Sequence, residues 1–125
     1  MADPRMRLSE PTVGEEEAEA AARAVRTGDL VFGPDLPAFE AEVASFVGAA
    51  GAVAASTGTA ALHLALLAAG VGAGDEVWTS DLTFISTANA VSYCGAHLTL
   101  VDAERDSWNL DPDLIAAEID RQIGR

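Results

Sequence analysis

Residues 52–62 read Ala52-Val53-Ala54-Ala55-Ser56-Thr57-Gly58-Thr59-Ala60-Ala61-Leu62, an apolar run broken by Ser-Thr-Gly-Thr. Ala52 to Ala55, set between Gly51 and Ser56, has the length and content of a strand buried on both faces. Thr59 to Ala69 is apolar nearly all round and is closed by Gly70, which predicts a helix. A strand, a glycine-containing break and a helix in that order open a βαβ unit, and the fold class is α/β.

Towards the C-terminus the pattern continues. Gly72-Ala73-Gly74-Asp75 is turn chemistry, Glu76 to Thr79 a second strand, and Phe84 to Tyr93 a helix ending at Cys94-Gly95. Leu98 to Val101 is a third strand that finishes at Asp102. Asp111-Pro112 opens a last helix through Ile119 by the cap-then-proline signature. Strand starts at 52, 76 and 98, each followed by a helix, have the pitch of a parallel sheet without any internal sequence repeat.

Towards the N-terminus the chain turns helical. Glu15 to Thr27 places three glutamates at its positive end, Arg23 and Arg26 near the other, and Gly28 as a left-handed stop. After the turn Phe32-Gly33-Pro34, Asp35 is expected to cap a second helix, with Pro37 in its first turn. Phe39, Val43 and Phe46 share one face of it, and Gly48 ends the run. The expected organisation is a helical arm over 1–50 and an α/β domain over 51–125. Three strands are few for a doubly wound sheet, and the chain stops just after a helix. It is therefore expected to be the front of a longer protein.

Composition narrows the partners. Among 125 residues, 7 basic against 20 acidic side chains give 7 − 20 = −13, which excludes nucleic acid and anionic membrane surfaces. All seven cations are Arg and no Lys occurs. Twenty-six residues are Ala, so a core must come from thin, closely approaching helices. Cys94 is the single cysteine, which excludes an internal disulfide and fits a reducing, cytoplasmic compartment. Arg5 and Arg7 precede no apolar stretch, so no signal peptide is read there. Residues 43–74 carry no charge, but their longest clean apolar piece, Ala60 to Val71, falls short of the roughly 20 residues a membrane span needs. A buried interior segment is expected instead.

Two places bear on chemistry. At Ser56-Thr57-Gly58-Thr59 the first N–H groups of a helix lack partners, the helix dipole adds positive character, and three hydroxyls stand by. That set suits a phosphate, while a plain helix cap needs nothing more than one Ser or Thr and is the commoner use of such a start. No cation lies between Arg26 and Arg105 to assist. Phe84 follows the second strand, at the carboxyl edge where open parallel sheets bind ligands; it is read either as core or as a ring that stacks on a flat ligand. His63 is expected as a hydrogen-bonded core histidine, Asp102 as a turn carboxylate, the acids of 15–19 as a solvated helix start, and Trp78 and Trp108 as packing residues. No Ser-His-Asp or metal-ligand spacing, Walker loop or G-x-G-x-x-G loop is present.

Several ordered segments carry a resemblance. Ala55 to Leu66 (Ala-Ser-Thr-Gly-Thr-Ala-Ala-Leu-His-Leu-Ala-Leu), Gly74 to Val77 (Gly-Asp-Glu-Val) and Leu82 to Ala90 (Leu-Thr-Phe-Ile-Ser-Thr-Ala-Asn-Ala) are followed by Tyr93 to Ala96 and Trp108 to Pro112. With Gly33-Pro34 and Phe39-Glu40 in the arm, the chain resembles the N-terminal third of the DegT/DnrJ/StrS family of pyridoxal-phosphate sugar aminotransferases. The resemblance implies the first part of a fold type I PLP-dependent transferase large domain, with pyridoxal 5'-phosphate as cofactor. It implies that Gly58 and Thr59 hold the cofactor phosphate, that Phe84 stacks on the pyridine ring, and that the loop around Gly33 lies near the substrate side. Asp81 and Trp78 depart from the family's usual Ser and aliphatic residue.

The resemblance also implies what is missing. Transamination needs a Lys that forms the Schiff base and an Asp that keeps the pyridine nitrogen protonated, both downstream in this family. In such enzymes later strands lie between the first and second. The implied function is part of an enzyme moving an amino group from an amino acid, glutamate first among them, to a nucleotide-linked keto-sugar, as a homodimer when full length. The Trp108 to Pro112 element looks most like the branch acting on UDP-linked 4-keto-6-deoxy-N-acetyl sugars. Alternatives are a sugar dehydratase with His in place of the Lys, a non-catalytic remnant serving dimerisation or binding, and an unrelated phosphate-binding α/β domain.

Overall fold

The computed structural model describes residues 9–124. The Arg5 and Arg7 segment lies outside the described residues. Two compact units divide the chain, one up to Ala54 and one from Ala55 onwards.

The first unit holds α1 (Glu15–Thr27) and α2 (Asp35–Val47). Gly14 precedes α1, and its N–H donates to the Glu17 carboxylate at 2.6 Å, which holds that carboxyl below the usual range. Gly28 ends α1 at φ 81, the left-handed stop that glycine adopts most easily. Asp35 does not cap α2. Pro34 occupies the cap position at φ −66 without a side-chain cap bond, so the helix begins one residue early. The Asp35 carboxylate lies 3.5 Å from the Arg23 guanidinium instead, an exposed pair of little energetic weight. Phe39 and Phe46 are 58% and 93% exposed, so the shared face of α2 is not a core face within this unit. Only Ala44 of α2 is buried.

The second unit holds α3 (Gly58–Ala68), β1 (Glu76–Ser80), α4 (Ile85–Tyr93), β2 (His97–Val101) and α5 (Pro112–Ile123). Strands β1 and β2 pair in parallel, from Glu76 opposite His97 to Ser80 opposite Val101, with α4 as the crossover. The fully buried Ala90 and Val91 of α4, with Val101 of β2, make the core. Asp111 caps α5 through its carboxylate, which accepts the Asp113 and Leu114 N–H groups at 2.9 and 3.3 Å. That helix continues past the expected Ile119 to Ile123.

Residues 52–55 do not form the expected strand. A strand exists through its ladder, and the sheet has two strands, neither of which pairs with this segment. Val53 is 82% exposed, and the Ala54 N–H is met by the Glu40 carboxylate at 2.8 Å. The uncharged 43–74 stretch is likewise not interior, since Leu62, Leu64 and Leu67 of α3 are 41–51% exposed. No helix among the described residues is long and apolar enough to cross a membrane.

Candidate functional site

The second unit brings two helix starts to one edge of the strands. The turn after α3 and the turn after α4 meet: His97 N–H donates to the Asp75 carbonyl at 2.8 Å, and a Cβ on Gly95 would touch Ala73. Both helices therefore end at the edge where β1 and β2 begin. They pack side by side, with the His63 and Tyr93 rings edge to face at 5.6 Å. Their starts, Gly58 and Ile85, lie at the opposite, carboxyl edge, where parallel sheets bind ligands.

At the start of α3, Thr57 is the cap: its Oγ1 accepts the Ala60 N–H at 3.1 Å, and its carbonyl accepts the Ala61 N–H at 3.0 Å. Its hydroxyl hydrogen stays free to donate. The N–H groups of Gly58 and Thr59 have no partner among the described residues. A Cβ on Gly58 would meet nothing within 4 Å, so the space beside that backbone is open. Two free N–H groups, the hydroxyls of Ser56, Thr57 and Thr59, and the helix dipole fit a phosphate. Among the described residues, no hydrogen bond joins a carboxylate to these groups.

At the start of α4 the donor chemistry gives way to a ring. Phe84 occupies the cap position at φ −74, ψ 142 without a cap bond and is 77% exposed. Of the two readings of Phe84, core is thereby removed within this unit. Its loop is pinned from both sides. Asp81 N–H donates to the Val101 carbonyl at 3.0 Å, Leu82 N–H to Ser80 Oγ at 3.1 Å, and the Thr83 and Thr87 hydroxyls share a bond at 3.0 Å. Asp81 itself is exposed.

Other candidates separate from this edge. Gly33 belongs to the first unit, where a Cβ would come within 2.7 Å of Asp29 Cβ, so close packing of its turn requires glycine there. His63 is half-buried and contacts Tyr93 through its ring, and the expected hydrogen bond is absent among the described residues. Trp108 is not a packing residue: it is 69% exposed. Asp102 is the expected turn carboxylate, accepting the Ala103 N–H at 2.8 Å. Among the described residues no group of three or more His, Cys, Asp or Glu could hold a metal.

Fold and edge geometry define the front part of a fold type I PLP-dependent transferase large domain. A model of the DegT/DnrJ/EryC1/StrS aminotransferase family matches residues 11–123, and the chain belongs to that family. It is 45% identical over 109 residues to the spore coat polysaccharide biosynthesis protein SpsC of Bacillus subtilis (strain 168), covering 87% of this chain and 28% of that protein. A DegT/DnrJ/EryC1/StrS aminotransferase from Brucella abortus superposes with a TM-score of 0.77 at 32% identity, over 88% of this chain and 30% of that one. Spr1654 of Streptococcus pneumoniae, in a structure of its PLP form, gives a TM-score of 0.80 at 28% identity, over 90% and 29%. The chain thus spans less than a third of the length of these relatives. Pyridoxal 5'-phosphate is the cofactor of the class.

Proposed function

We propose that this chain forms the phosphate-holding and ring-stacking part of an aminotransferase that moves an amino group from an amino acid, glutamate by preference, to a nucleotide-linked keto-sugar. The observation that carries it is the pairing, at one sheet edge, of two partnerless N–H groups at Gly58 and Thr59 with the exposed ring of Phe84. Gly58 and Thr59 would hold the cofactor phosphate, and Phe84 would cover one face of the pyridine. Bound there, pyridoxal phosphate supplies the electron sink that makes amino transfer feasible. The chain's own part is to bind and orient. It carries no Lys, so no side-chain ammonium is present to bond the cofactor covalently or to move protons. Similarity to SpsC supports a place in polysaccharide biosynthesis, and we place the working protein in the cytoplasm as a homodimer.

Two arms test this. Pyridoxal phosphate should bind the chain yet leave no pyridoxyl group on any side chain after borohydride reduction, as read by mass spectrometry. A reduced label mapped away from the N-terminal amine would overturn it. Reading the gene at and after the Arg125 codon separates the chemistries: Lys at the family's cofactor position gives amino transfer, His there gives the dehydratase, and a stop codon gives a non-catalytic remnant.

A further inference from the structure

The α1 helix carries its charges in an order that a second copy of the same helix would match. Glu15, Ala18, Glu19, Ala22, Arg23 and Arg26 recur at helical spacing on one side, and these six line a single open groove of about 520 Å³. Short alanines between long charged side chains open it. Acids occupy its first half and arginines its second. The helix dipole accounts for acids before bases along the axis, but it does not require both arginines of α1 to share a side with Glu15 and Glu19. Glu19 and Arg23 stand four apart, where they could pair within the helix. Arg23 instead makes its exposed pair with Asp35 at 3.5 Å. Among the described residues Glu15, Glu19 and Arg26 make no ion pair or side-chain hydrogen bond, and no residue of α1 is buried.

Direction decides what such a side can pair with. In a parallel pair of α1 helices, acid would stand on acid and arginine on arginine. In an antiparallel pair whose two-fold axis passes between residues 20 and 21, Glu15 of each copy meets the partner's Arg26, and Glu19 lies one position from the partner's Arg23. Ala18 and Ala22 then face their counterparts, and such short side chains let helix axes approach to about 8 Å. Each helix's positive end also lies beside the other's negative end. With a net charge of −13 the chain repels its own copy in general, and this side is an exception, two acids against two arginines. The 13 residues of α1 span roughly 20 Å, so one side of it buries less than an interface of standard size. The pairing is therefore weak by itself and sensitive to salt.

We infer that this side of α1 is a contact between two copies of the chain, with the helices antiparallel and Glu15 of each on the partner's Arg26. The inference rests on the homodimer reading above and gives it a surface.

Sedimentation equilibrium of the full chain, over a wide concentration range and at low and high salt, measures the contact. Wild type should associate at high concentration and dissociate as salt is raised. Glu15→Arg alone and Arg26→Glu alone should each weaken association about tenfold, because each turns two attractive contacts into repulsive ones. An equimolar mixture of those two variants should associate as wild type does, and so should one chain carrying both changes. That doubly changed chain separates contact from structure. It opposes the helix dipole at both ends of α1, so an effect through helix stability would make it the weakest of the set. Circular dichroism beside each sample reads that stability directly. A wild type that stays monomeric throughout overturns the inference and leaves the groove to another partner. Association unmoved by either single change also overturns it, and the homodimer reading then stands on a different face. If the single changes weaken association and neither the mixture nor the doubly changed chain recovers it, the loss is structural and the antiparallel contact is wrong. Pyridoxal phosphate titrated into the same samples reads the cofactor assignment independently of all these results.

Discussion

The starts of α3 and α4 lie at one edge of the same unit, yet they are built from opposite materials. At α3 a Thr caps, glycine follows, and the backbone presents donors with nothing to receive them. At α4 an aromatic takes the cap position, makes no cap bond, and presents a flat ring. The preceding segments differ as well: β1 is paired along its length before α4, whereas 52–55 stays unpaired before α3. The α4 start therefore follows a paired strand and leads to the buried Ala90 and Val91, whereas the α3 start has its own cap and a helix without a buried residue. The proposed pairing of an anion site with a ring site needs only a shared edge, which the parallel crossover supplies.

The difference in anchoring is the first thing to break. Val91 of α4 is almost fully buried, so Val91→Ala should cost about 2 kcal/mol, read as a lower urea midpoint. Leu64 of α3 is 51% exposed, and Leu64→Ala should cost less than about 1 kcal/mol. Equal costs would mean that α3 is anchored as firmly as α4.

The caps come next. Thr57→Ala removes the bond to the Ala60 N–H and should cost about 1 kcal/mol of stability, measured by thermal melting. Thr57→Ser should recover most of it, because the hydroxyl oxygen is kept. A variant that melts with wild type would show that the α3 start is held by something other than its cap.

The smallest effect is on pH. Glu76 accepts the Thr99 hydroxyl at 2.5 Å, a bond between β1 and β2, and this chiefly holds its carboxyl below the usual range. A depressed folded value gives stability that is full above the ordinary carboxylate range and is lost as pH falls through the lowered value. Glu76→Gln should flatten that acid limb slightly in a pH series of melts. Wild-type and variant curves that run parallel would remove this bond from the account.

Much of this was legible in the sequence, and the misses share a cause. The α1 bounds, the parallel pair and the Asp111-Pro112 helix start follow from local signals: charge placement, glycine stops, period and caps. The strand at 52–55 did not follow, because an apolar run carries no information about whether a neighbour is there to pair with it. Trp108 and His63 were assigned by residue type, which favours burial, while the loop backbone and the Tyr93 ring decided otherwise. Asp35 was a sound cap by composition, but Pro34 already had a helical φ and took the position. Gly58, Thr59 and Phe84 stand out in the sequence because a glycine-containing helix start and an aromatic at a strand's carboxyl edge are themselves local patterns.

The central claim is that the α3 start holds the cofactor phosphate and the α4 start its ring. Titration of pyridoxal phosphate and of phosphate-free pyridoxal into wild type, Thr59→Ala and Phe84→Ala, beside apo melts, tests it most directly. Thr59→Ala should weaken pyridoxal phosphate by about one to two powers of ten, leave pyridoxal unaffected, and barely shift the melt. Phe84→Ala should weaken both ligands alike through lost stacking. If Thr59→Ala binds pyridoxal phosphate as wild type does, Ser56 to Thr59 is a helix cap and nothing more, and the site assignment is wrong.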